Sequence, residues 1–102
     1  MPNRSKQKGC RYEAELVSRA TNSGLPAKRA WGSNGAALGL HPEVDCVIAG
    51  YKVQAKRRKS LPQWMRPSDE VDVQAVREDH GETFIIMSEW DFHDLLKAAQ
   101  KE

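Results

Sequence analysis

Asp45, Gln54 and Lys56 put a carboxylate, an amide and an ammonium within one short stretch, EVDCVIAGYKVQAKRRK, which runs from Glu43 to Lys59. Two runs of alternating apolar residues flank Ala49-Gly50, the pattern of a β-hairpin with a tight turn. Residues two apart on a strand share a face, so Gln54 and Lys56 project together, as do Glu43 and Asp45. Pairing about the Ala49-Gly50 turn brings Asp45 to the Gln54–Lys56 side. One carboxylate, one amide oxygen and one ammonium at the end of a basic strand are what metal-dependent phosphodiester cleavage requires. A hard cation such as Mg²⁺ takes few protein oxygens and leaves places for water and phosphate. The ion polarises the phosphoryl oxygen and acidifies the attacking water, while a lysine orients that water or stabilises charge.

A fourth residue joins these three. From about Lys8 to Asn22 the chain reads as a helix, with Glu13, Leu16, Val17 and Ala20 on one face. Glu13 thus occupies an apolar stripe, where an unpaired carboxylate is costly to bury. It either meets a partner, a metal or an open cleft, or sits at the margin of the stripe and reaches solvent.

The elements that position these residues follow along the chain. Asn22-Ser23-Gly24 with Pro26 ends the first helix. Ala27 to Trp31 is a short strand, and the twelve residues GSNGAALGLHPE form a loop long enough to carry function. Val44 to Ile48 and Tyr51 to Arg57 are the hairpin arms. A short helix is expected at Leu61 to Met65, followed by a strand at Val71 to Val76, turn chemistry at EDHGE and a partner strand at Thr83 to Met87. Ser88 with Asp91 resembles a capping box for a last helix whose stripe is Phe92, Leu95, Leu96 and Ala99. The order α-β-loop-β-β-α-β-β-α predicts an α/β (α+β) fold with a mixed sheet flanked by helices. Trp31, Trp64 and Trp90 are expected in the core rather than stacked on bases.

Composition bounds the function. A chain of 102 residues is one domain with room for a single modest core. Residues 1–8 read as a flexible basic arm. No run of residues approaches the length of a membrane span, and a cytoplasmic location is expected. Cys10 and Cys46 are far apart and the three histidines form no ligand pair, so reduced cysteines and no structural zinc are expected. The net charge of +2 conceals a split. Through Ser60 there are twelve basic and four acidic side chains, and from Leu61 onward four basic and ten acidic. The basic residues gather at Arg4, Lys6, Lys8 and Arg11, and at Lys52 and Lys56 to Lys59, the footprint of a polyanionic partner.

These pieces, in this order, resemble small archaeal- or phage-type Holliday junction resolvases of the PD-(D/E)XK nuclease superfamily. KGCRYEAEL is similar to the family's opening Lys-Gly and helix glutamate, which falls on Glu13. KRAWGS resembles the Arg-x-x-Gly-Ser segment, placing Arg29 and Ser33. VDCVIAG supplies the aspartate, Asp45, and VQAK stands where the family has Glu-x-Lys, giving Gln54 and Lys56. VDVQAVREDHGETFIIM is similar to the closing hairpin of short members. The resemblance implies a restriction-endonuclease-like core and hydrolysis of DNA with Mg²⁺ or Mn²⁺. It further implies a metal held by Glu13, Asp45 and Gln54, water assisted by Lys56, and a homodimer that cuts a four-way junction symmetrically. In the same scheme Arg29 and Ser33 contact the phosphate beside the cut, and Lys8, Arg11, Arg57, Arg58 and Lys59 grip the flanking duplex. Two positions depart from the family. Gln54 is neutral where the family has an acid, a charge that Glu43 can replace, and Ala14 stands where an arginine accompanies the helix glutamate. A DNA-binding module without chemistry, and a nuclease acting on flaps or ends, are the competing expectations.

Overall fold

The computed structural model describes residues 4–30 and 39–100, with side chains from residue 11 onward. The chain divides into two compact units, residues 1–57 and 58–102. Among the described residues all strand pairing is antiparallel, and helices accompany the strands, so the architecture is α+β.

The first unit opens with helix α1, Arg4–Asn22. Its end is encoded in three residues. Gly24 takes a left-handed φ of 92°, which costs a residue without a Cβ little. That bend lets Leu25 N–H reach Ala20 O at 2.9 Å and Gly24 N–H reach Thr21 O at 3.0 Å, the crossed pair of bonds that closes a helix and satisfies its last carbonyls. Leu25 is buried against the same turn as Ala20, and burying a leucine contributes about 2 kcal/mol. The helix packs on strands β1, Ala27–Arg29, and β2, Cys46–Ile48.

Strand β3, Tyr51–Val53, completes a three-stranded sheet in the order β1-β2-β3. The hairpin turns as the sequence predicts, with Ile48 opposite Tyr51. Ala49 and Gly50 both have positive φ, 50° and 86°, the two-residue turn whose twist matches that of its strands. The core of this unit is Ala20, Leu25, Ala30, Val44, Cys46 and Ile48, with Glu13 and Asp45 buried beside it.

The second unit holds a short 3-10 turn, Gln63–Met65, strands β4, Val73–Val76, and β5, Phe84–Met87, and helix α2, Glu89–Gln100. β4 and β5 form their own ribbon, with Val73 opposite Met87 and Val76 opposite Phe84. Ser88 caps α2, its Oγ accepting the N–H of Asp91 at 3.1 Å, as the capping pattern predicts. The buried stripe of α2 differs from the expected one: His93 and Leu96 are buried, whereas Leu95 is 57% exposed and Ala99 is exposed. His93 meets the edge of Trp90 at a centroid distance of 5.6 Å and lies 3.8 Å from Glu89. A histidine that meets Glu89 and Trp90 of its own helix fills a core position that an apolar count assigns elsewhere.

Three further expectations are corrected. The described strands make two separate antiparallel sheets rather than one mixed sheet. β2 and β3 close through the two-residue Ala49-Gly50 turn, whereas a parallel pair needs a long crossover, and residues 54–72 supply only the 3-10 turn. β3 ends at Val53 rather than Arg57. Trp64 and Trp90 are more than half exposed rather than core, and Trp31 lies outside the described residues.

Candidate functional site

The site grows from an irregularity in β2. In a regular antiparallel strand the N–H and C=O of one residue address the same neighbour. Asp45 divides them: its C=O accepts the N–H of Ala30, next to β1, at 2.9 Å, while its N–H donates to Val53 O of β3 at 2.8 Å. Cys46 is already the register partner of Val53. Two successive residues therefore face one, the mark of a β-bulge, and bulges re-aim side chains where a ladder ends. Expectation from the simple pleat aims Asp45 toward the Gln54–Lys56 side. The carboxylate does reach that segment, where its Oδ2 accepts the N–H of Ala55, the residue between Gln54 and Lys56, at 2.6 Å. The carboxylate takes the bond that a strand carbonyl would take, so the arms part here and β3 goes no further.

Glu13 and Asp45 are brought together. Glu13 is 3% exposed and Asp45 8%, and both act on the Cys46 thiol. Burial first, then the Asp45 charge, then that of Glu13, pushes that thiol from an ordinary 9.0 up to about 11. Cys46 is free and fully buried, as expected of a reduced cysteine, and at neutral pH it is a neutral thiol that feels both carboxylate charges. Arg29, on the face of β1 that pairs with Cys46, reaches Glu13 with its Nε 3.4 Å from Oε2. The stripe position of Glu13 thus resolves in favour of a buried carboxylate with a partner.

Gln54 and Lys56 are exposed and, among the described residues, make no hydrogen bond or ion pair. Lys52, Gln54 and Lys56 alternate with the half-buried Val53 and Ala55, so the shared face predicted for Gln54 and Lys56 holds. Gln54 lines a depression of about 320 Å³ with His41, Glu43, Val44, Lys52 and Val53. Glu43 and Gln54 therefore share a surface. His41 receives the Glu43 N–H on its Nδ1 at 3.1 Å, a bond that fixes the ring beside that surface. Arg11, Arg57, Arg58 and Lys59 are exposed, whereas Ser33 and the side chain of Lys8 lie outside the described residues. Sequence reasoning missed that Cys46 feels both carboxylates, although its place beside Asp45 signals it.

Among the described residues no three His, Cys, Asp or Glu side chains converge as a closed metal cage. Two carboxylates suit a hard cation that keeps much of its water and completes its shell from phosphate. Unlike a catalytic zinc site, with its three protein ligands, the pair leaves most of the shell open to solvent and substrate.

No helix among the described residues is long and apolar enough to cross a membrane. Comparison with known protein families, with curated proteins and with solved structures gave no match.

Proposed function

We propose that the chain is a Mg²⁺- or Mn²⁺-dependent, structure-selective DNA endonuclease with a restriction-endonuclease-like core. In this reading it resolves four-way junctions as a homodimer in the cytoplasm. The observation that carries the reading is the pair of buried carboxylates, Glu13 from α1 and Asp45 from the bulge, set where β3 hands over to the run Lys56 to Lys59.

Glu13 and Asp45 would hold the cation, with the Gln54 amide oxygen as a third donor. A divalent ion so held polarises a phosphoryl oxygen and makes its bound water acidic. Asp45 offers one oxygen, because Oδ2 is committed to Ala55. That commitment fixes the rotamer, so little ordering remains to be done when a ligand arrives. Lys56 orients the attacking water and Arg29 balances charge at the phosphate. Arg57, Arg58 and Lys59, with Arg11 and Lys8, bind the duplex backbone, which positions DNA without reading its sequence. Two-fold symmetry of a homodimer matches the near two-fold symmetry of a branched duplex.

The test is cleavage of a labelled four-way junction and of its matched linear duplex, in Mg²⁺ and in Mn²⁺. Native protein is run beside Asp45→Asn and Gln54→Glu. The reading expects junction cleavage that Asp45→Asn abolishes. Cleavage by Gln54→Glu alone would identify an intact site one charge short. The exposure of Gln54, whose neighbour Ala55 rather than its own amide bonds the Asp45 carboxylate, favours a second reading, a branched-DNA-binding module without chemistry. Junction binding without cutting by all three proteins would establish that reading, and cutting of flaps or ends in preference to junctions would reassign the substrate.

A further inference from the structure

Arg29 holds Glu13 in an unequal partnership. The carboxylate side chain is 4% exposed and the arginine side chain 33%, so the cation of the pair already reaches solvent while the anion does not. Contact is through Nε alone, at 3.4 Å. Charge-assisted N–H···O bonds are shorter, about 2.7–2.9 Å, and an arginine that clamps a carboxylate uses two parallel bonds. The grip is single and long. Its backbone, by contrast, is fixed: Arg29 is paired with Cys46 across β1 and β2, and the next residue, Ala30, donates to Asp45 O at 2.9 Å. The guanidinium is thus tethered beside the carboxylate pair, with freedom at its tip.

Charge decides what happens when a divalent cation arrives. The Arg29 guanidinium offsets one of the two carboxylate charges, which suits a buried position better than leaving both. With a divalent ion on the carboxylates that offset is no longer needed, and a guanidinium in contact with Glu13 then faces a like charge at close range in a poorly screened place. We infer that Arg29 is a displaceable counter-ion, which neutralises Glu13 while the carboxylate pair is without a divalent cation and swings off it when the cation binds, freeing its guanidinium for a phosphate of the polyanion. The inference rests on reading Glu13 and Asp45 as a cation site. It adds that the chain stores its own competitor for that site, so cation and polyanion assist each other reciprocally through one side chain.

The experiment is Mn²⁺ binding to the metal-free full chain, without DNA, read from the free-ion signal in electron paramagnetic resonance. Native protein is compared with Arg29→Gln and Arg29→Lys. Removing a charge in contact with a carboxylate changes the availability of that carboxylate by a factor of ten or more, so Arg29→Gln should bind Mn²⁺ about tenfold more tightly than native. Arg29→Lys keeps the charge and should stay close to native. Equal or weaker binding by Arg29→Gln, when native protein does bind, overturns the counter-ion role and leaves the cation site standing. Equal tightening by Arg29→Lys also overturns it, because packing rather than charge would be responsible. Absence of binding by all three proteins removes the cation site itself, and the inference with it. Should Arg29→Gln be unfolded in chelator, millimolar Mn²⁺ must restore its native circular dichroism, since the ion replaces the missing cation; failure to do so also overturns the inference.

Discussion

The thiol of Cys46 reports on the geometry of the site before any substrate is offered. Burial and the charges of Asp45 and Glu13 push it up to about 11, from an ordinary 9.0. At pH 10 the two values diverge: about one-tenth of the thiol is ionised with the raised midpoint and about nine-tenths with the ordinary one. The perturbation is Asp45→Asn in a Cys10→Ser background, which removes the larger of the two charges and keeps an oxygen for the Ala55 N–H. The assay is the ¹³Cβ shift of labelled cysteine followed from pH 7 to 10.5 in the presence of chelator. The single-cysteine parent should remain mostly protonated at pH 10, and Asp45→Asn should ionise at lower pH, with Glu13→Gln producing a smaller shift in the same direction. The folded state keeps a proton that the unfolded chain loses above pH 9, so this contribution to stability is complete below pH 9 and falls away toward pH 11. Two units of raised pKa are worth about 2–3 kcal/mol. A Cys46 mostly ionised at pH 10 in the folded parent, or a midpoint unmoved by Asp45→Asn, would refute the convergence of the two carboxylates on one thiol.

Other expectations concern stability and binding. Asp45→Ala should cost about 1–2 kcal/mol in urea unfolding, because the Ala55 N–H loses its charged acceptor; Asp45→Asn, which keeps an acceptor and relieves the charge beside Glu13, should cost less. Ala49 has a φ of 50°, which a Cβ disfavours by about 1 kcal/mol. Ala49→Asn or Ala49→Gly should therefore raise the melting temperature, and a fall in either would refute the strained-turn reading. If Arg57 and Arg58 each neutralise a phosphate, replacing both with alanine should flatten the plot of log affinity for duplex DNA against log salt by about 1.8; an unchanged slope would remove them from the interface.

How far the sequence discloses the fold varies with the kind of signal. Local chemistry reads well. Gly24 ends α1, Ala49-Gly50 turns the hairpin and Ser88 starts α2, because each depends on a backbone conformation or a cap that a few neighbours decide. The helical period puts Glu13 on the apolar stripe, but leaves burial and the margin of the stripe as alternatives that only the structure decides. Asp45 is recognisable as chemistry and in its approach to residues 54–56, but its bond to the Ala55 N–H is not, since a bulge breaks the two-residue period on which facing arguments rest. The exposure of Gln54 agrees with the alternation of its neighbours, although β3 itself ends at Val53. In α2 the sequence puts Leu95 inside and misses His93, because a polar side chain that meets Glu89 and Trp90 is indistinguishable in sequence from one that meets water. The ribbon of β4 and β5 shows the same limit. Its alternation is legible, but Val73 and Ile85 are exposed while Gln74 is half-buried, and which side of an alternating strand faces inward depends on what packs there.

The bulge at Asp45 makes the hairpin a ruler. The distance from the Ala49-Gly50 turn to Asp45 is counted in residues, and the carboxylate meets the Ala55 N–H only at that count. An inserted or deleted residue between Cys46 and Val53 would leave a hairpin able to form and a chain with the same charges. It would also slide the aspartate past its donor and invert which side chains meet α1. Substitutions along these arms should therefore be far better tolerated than changes of length, and any natural variation in loop size should fall outside the interval that the ruler measures.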